Sequence, residues 1–218
     1  MDANQALNPK QQSIIPIAAF TANGDLEKLK TALHEGLNAG LTVHEIKEIL
    51  VQMYAYAGFP RSLNGIHTFM AVMDERQAKG IKDEMGKEAS PVPADMNKDE
   101  YGAKVRARLA GREIIPPPSG YQLFTPVIDT FLKEHLFADI FARDTLDFLS
   151  REIATVGALS SLEGVNPMLR FHMGAAMHVG LTEHQAQALV ALIGSEVGTK
   201  AGDNAGEVLQ QVLHSRAK

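Results

Sequence analysis

The chain has 218 residues, 45% of them hydrophobic, a net charge of −5 and no cysteine. That length and hydrophobic content allow one or two domains with a sizeable core and exclude a disordered polyelectrolyte. The absent thiols exclude disulfides, thiolate zinc sites, iron–sulfur clusters and any cysteine nucleophile, and the acidic balance argues against nucleic acid as a partner.

Helical signals dominate from Asp25 onward. Leu26, Leu29, Leu33 and Leu37 fall on one helical face. Gly40 suits the left-handed position beyond that helix. Thr42 and Glu45 form a capping box for the next helix, whose buried face continues through Ile46, Ile49, Leu50 and Met53. Gly58-Phe59-Pro60 breaks it, and Pro60 suits the first turn of a new helix with an apolar stripe of Leu63, Ile66, Met70 and Met73. Two helices joined by so tight a bend are expected to pack antiparallel. Residues 74–113 carry 18 charged side chains and read as a solvated helix end, a loop and a short helix around Asp99–Leu109. Ile115 to Gly120 is a stiff Pro-rich connector. Pro126 opens a helix through Ile128, Phe131, Leu132 and Leu136. Leu169 to Met177 is a helix candidate ended by Gly180, Thr182 with Gln185 forms a second capping box, and Gly198 breaks the helix that follows.

No strand pattern competes, so the expected fold is all-α. Shifting the chain on itself by 140 residues aligns Gly24 with Gly164, Gly40 with Gly180, Thr42 with Thr182, His44 with His184 and Gly58 with Gly198, all on helix punctuation. This predicts two tandem copies of one helical unit, at 1–85 and 125–218, joined by a charged and Pro-rich connector at 86–124. No apolar run reaches the ~18–20 residues of a membrane span, so no membrane partner is expected. Residues 1–12 lack the basic and apolar regions of a secretory leader, which makes the cytoplasm the expected location.

Few residues suggest chemistry. Glu48 reads either as a solvent-facing carboxylate or as one partner of an acid–base couple. His67, amid Leu63, Ile66 and Met70, reads either as a core or interface histidine or as the other partner, able to meet Glu48 across the antiparallel helices. Arg61, at a helix N-terminus, is either a surface side chain or part of an anion site for a ligand carboxylate. Tyr54 and Tyr56 are either pocket phenols or interface residues. His172 and His178, six apart, share no face and make no metal pair. No metal, nucleotide or serine-nucleophile motif occurs, so neither a metal nor a cofactor is expected.

The segment from Gly40 to Thr68, with its EI, EIL, YAGFP and LN runs, resembles the signature helix pair of the carboxymuconolactone decarboxylase family, which includes alkylhydroperoxidase D. Leu149 to Thr182 resembles the family's preceding helices, and Phe124 to Leu149 its opening segment. Together they resemble the two-copy branch of the family. The family's peroxidases carry Glu-x11-Cys-x2-Cys-x3-His; here Glu48 and His67 hold the outer positions while Pro60 and Leu63 replace the cysteines. Ala188, Lys200, Asp203 and Glu207 hold the matching positions of the second copy. The resemblance implies a cofactor-independent lyase, not a thiol peroxidase. It would act on a small carboxylated lactone or related acid, with His67 as acid/base, Glu48 orienting it, Arg61 and Tyr54 toward the substrate, and Arg151, Glu152 and His172 of the second copy approaching the pocket. It also implies a homo-oligomer, a trimer imitating a hexamer. An antioxidant role is disfavoured by the missing cysteines, and a non-catalytic helical scaffold remains the reading from another class.

Overall fold

The computed structural model describes residues 6–217. Residues 1–5, within the stretch read above as lacking a leader, lie outside the described residues. Among the described residues every regular element is a helix. The first, α1 (Pro9–Asn23), is buried continuously from Ile14 to Ala22. A helix that is apolar on all sides has to be covered on all sides. Its absence of a polar face is why no helical stripe announced it, and Pro16 inside it adds a breaker signal. Asn8 and Gln11 cap its start reciprocally, and Gly24 ends it at φ 80°.

α2 (Leu26–Asn38) follows the expected stripe, with Leu29, Leu33 and Leu37 buried and Asp25 accepting from the Lys28 amide. In α3 (Val43–Ala78) the capping box forms as expected: Thr42 N donates to Glu45 at 2.7 Å and Glu45 N to the Thr42 hydroxyl at 3.2 Å. Gly58, at φ 83° and ψ 160°, breaks the helix. The Ser62 hydroxyl then donates to the Leu50 carbonyl at 2.8 Å. A straight helix would hold residues that far apart in sequence roughly 18 Å apart, so the two halves of α3 fold back on each other. The expected stripe after the bend is corrected. Ser62, Gly65, Phe69, Val72 and Arg76 face inward, whereas Leu63 and Met70 are 50% and 59% exposed. Gly65 sets this register, because its bare backbone seats against Thr21 and Leu50.

The charged middle holds α4 (Lys98–Leu109), then the short α5 (Tyr121–Phe124) and α6 (Pro126–Thr130). The single α-helix expected from Pro126 is corrected: from Phe131 to Ile140 the turn widens to a π-helix. Just beyond it the Phe141 amide bonds the Leu136 carbonyl, five residues back, at 3.2 Å. α7 (Phe148–Ser160), α8 (Asn166–His178), α9 (Glu183–Leu192) and α10 (Thr199–Arg216) complete the chain, with a π turn at Ile193–Val197. α2 and α8 run over 26–38 and 166–178, an offset of 140. The capping threonines Thr42 and Thr182 and the positive-φ glycines Gly58 and Gly198 share it.

The main core joins α1 to α2, α3, α7, α8, α9 and α10. A smaller one packs Val105 and Leu109 of α4 against Leu136, Phe137 and Ile140 and against Ala175 of α8. The α1–α7 seam is close enough that a β-carbon added to Gly157 would stand 2.9 Å from the Ile15 carbonyl oxygen. Gly157→Ala is therefore expected to cost about 1–3 kcal/mol by overpacking. A lower urea midpoint at unchanged slope would register it, and an unchanged midpoint would show that the seam yields. No helix among the described residues is long and apolar enough to cross a membrane.

Candidate functional site

Polar side chains meet where α3 faces α7. Glu48, Gln52 and Tyr56 recur every fourth residue and so share one face of α3. Opposite them α7 presents Arg151, Glu152 and Thr155, α8 adds His172, and the loop before α7 adds Arg143. All but Arg143 owe their positions to helices docked in the core.

Glu48 is buried and holds two arginines. Arg143 Nε donates to its two oxygens at 2.9 and 3.1 Å, and Arg143 Nη2 donates to Oε1 at 2.5 Å. Arg151 Nη2 reaches Glu48 Oε2 at 3.2 Å and the Arg143 carbonyl at 2.6 Å. Arg151 Nη1 donates to Gln52 at 2.9 Å, and the Gln52 amide returns bonds to the Arg151 carbonyl and the Thr155 hydroxyl, both at 2.9 Å. Burial pulls the Arg151 guanidinium below its usual range against the opposing pull of Glu48. The hydrogen bonds to Glu48 raise Arg143 instead. Arg151 is wholly buried, but the Arg143 side chain is 43% exposed, so the cluster opens to solvent through Arg143.

Beside it lies a carboxylate–imidazole couple. His172 Nδ1 stands 2.7 Å from Glu152 Oε2, with both residues buried. A carboxylate only accepts, so His172 Nδ1 donates to Glu152 and Nε2 stays unengaged by it. The Tyr56 ring meets His172 edge-on at 5.4 Å. Among the described residues neither the buried Tyr56 hydroxyl nor Glu152 Oε1 has a hydrogen-bond partner. Leaving such groups unpaired costs about 1–3 kcal/mol each. Burial, reinforced by the Glu152 charge, holds the Tyr56 phenol far above its ordinary range, so it remains a donor.

The structure separates several residues that the sequence put together. Glu48 and His67 do not meet: Glu48 is buried with its arginines, and His67 is exposed. The reason is rotational. Gly65 and Phe69 point inward, and His67, two residues from each, lies about 200° around the helix from both. Arg61 is also exposed, and its guanidinium lies over Gly24 at the α1–α2 turn, away from the polar cluster. Tyr54 stacks on Phe59 with ring centroids 4.5 Å apart and lines a different cleft. Of the substrate-side expectations, only Arg151, Glu152 and His172 join the cluster. Gln52, Arg143 and Thr155 were missed, although polar residues four apart at 48, 52 and 56, and at 151 and 155, in apolar helices were the available signal. No group of three or more potential metal ligands occurs among the described residues.

Fold and site together define an all-helical protein with a carboxylate–imidazole couple and a paired-arginine cluster between its helices. Residues 1–68 match the sequence model of the Carboxymuconolactone decarboxylase family, so that stretch of the chain is similar to the family. The match spans α1, α2 and the bent part of α3, so it takes in Glu48, Gln52, Tyr56 and His67 but not Glu152 or His172. No curated protein matches the chain.

Proposed function

We propose that the chain is a cofactor-independent lyase of the carboxymuconolactone decarboxylase kind, acting on a small carboxylated lactone or related acid. The observation that carries this reading is the Glu152–His172 contact at 2.7 Å beside the unpartnered Tyr56 hydroxyl. It moves the acid–base couple from Glu48 and His67 to Glu152 and His172, and the carboxylate-binding arginine from Arg61 to Arg143.

In this reading the bond from ring carbon to carboxylate breaks and CO2 leaves. The electron pair spreads into the conjugated lactone, and negative charge develops on its carbonyl oxygen. The neutral Tyr56 hydroxyl donates a hydrogen bond to that oxygen, which is worth most in a water-poor site. His172, oriented by Glu152 through its Nδ1–H, takes up a proton from solvent at Nε2 and delivers it to the carbanionic carbon. Arg143 holds a second carboxylate at the solvent side. The test is CO2 release from a panel of carboxylated lactones by the wild-type chain and by His172→Gln. Turnover lost in the variant supports the assignment. Equal turnover in both refutes it, and no turnover by the wild type returns the chain to the non-catalytic scaffold reading.

We also propose that 1–85 and 125–218 are two copies of one unit, and that the chain forms a trimer imitating a hexamer. The shared offset of the helix caps supports the first point. The outward stripe of Phe59, Leu63 and Met70, at 63%, 50% and 59% exposure, supports the second. Light scattering is expected to give three times the 23.6 kDa chain mass, and a monomer mass would refute the assembly.

A further inference from the structure

A cleft of about 560 Å³ lies between α3 and the π-helical segment, outside the polar cluster described above. Small-molecule sites occupy roughly 300–1,000 Å³. Its apolar lining comes from Tyr54, Ile128, Phe131 and Leu132. Tyr54 is held in place by its stack on Phe59 and is tilted against His135, with centroids 5.5 Å apart.

The polar lining is asymmetric. His135 Nδ1 stands 2.8 Å from Asp139 Oδ2. Asp139 Oδ1 takes Lys98 Nζ at 2.7 Å, so both carboxylate oxygens are engaged. Nδ1 therefore donates to Asp139, and Nε2 is the ring nitrogen that Asp139 leaves unengaged. Glu134 also lines the cleft. Lys98 is paired with Asp139 and Glu134 adds a further carboxylate, so the lining opposes an anionic ligand. The backbone points the same way. His135 and Asp139 sit on ten residues of π-helix, a form that is rare at such length and frequent at functional sites.

We infer that this cleft binds a small neutral ring bearing a hydroxyl group, which donates to His135 Nε2 while the ring lies against Tyr54, Phe131 and Leu132. The inference is independent of the lyase reading, because it uses other residues and a ligand of other charge.

Calorimetric titration of the full chain with phenol tests it, with toluene as the ring without a hydroxyl and benzoate as the anion. Phenol is expected to bind saturably at one site, about tenfold more tightly than either comparison ligand. His135→Ala, at a half-exposed position, is expected to reduce phenol to the affinity of toluene, and Leu132→Trp to fill the cleft and abolish both. The inference is overturned if phenol and toluene bind equally, if benzoate binds best, if binding does not saturate, or if His135→Ala leaves phenol binding unchanged. Circular dichroism confirms that each variant is folded. Should Leu132→Trp fail to fold, the His135→Ala comparison decides the matter alone.

Discussion

Replacing Glu48 by alanine is expected to lower the unfolding free energy by about 3–5 kcal/mol, because it leaves buried positive charge without its counter-ion. Arg151 is fully enclosed, and its remaining acceptors are the neutral Gln52 amide and the Arg143 carbonyl. Arg143 can turn to solvent when Glu48 is gone, but Arg151 cannot. His67→Ala, on the exposed face, is expected to move stability by no more than about 0.5 kcal/mol. The two residues that stand at the ends of the family motif should thus differ severalfold in cost, and urea unfolding of the two variants measures it. A Glu48→Ala protein as stable as the wild type would mean that the arginines find another anion. Replacing both arginines by methionine in the Glu48→Ala background should recover most of the loss, since removing every member of a buried charge cluster costs less than removing one.

The second large effect concerns chemistry. Under the lyase reading, His172→Gln is expected to reduce kcat by about 10²–10⁴-fold, the usual worth of a positioned acid–base group. KM should change little, because carboxylate binding is assigned to Arg143. Glu152→Gln should fall in the same direction, since an amide facing Nδ1 no longer fixes the tautomer. A merely structural role for the couple would instead lower the unfolding midpoint and leave kcat per folded molecule unchanged. Free imidazole added to His172→Gly separates these outcomes: recovered turnover assigns the proton to the ring itself.

Much of the architecture was legible in the sequence because its punctuation is chemical. Thr42 with Glu45 and Thr182 with Gln185 announce helix starts by side chains that satisfy free amides. Gly58 and Gly198 announce bends through φ values other residues avoid. α1 was illegible for the opposite reason: a helix covered on every side has no contrast between faces to detect. The stripe after Gly58 misled because hydrophobicity shows that a face is apolar, not which surface covers it. Gly65, whose value is its lack of a side chain, decided the register. The site divided along the same line. Glu48 stood out through its family motif, but its partners, Arg143 and Arg151, lie about a hundred residues away in sequence. Only the docking of α7 on α3 brings them together. The π-helix at His135 has no sequence signature that separates it from an α-helix of equal composition.

The α1–α7 seam also bears on how the molecule is made. Ile14, Ile15 and Ile17 are sealed in the same core as Ile153, Ala154 and Val156, and the Ser161 hydroxyl ties back to the Ala19 carbonyl at 3.0 Å. Part of the surface that covers α1 is therefore translated more than a hundred residues after it. Contacts of such long sequence separation slow folding. During synthesis α2 and α3 cover part of α1, but the face that meets α7 stays open until the last third of the chain has followed.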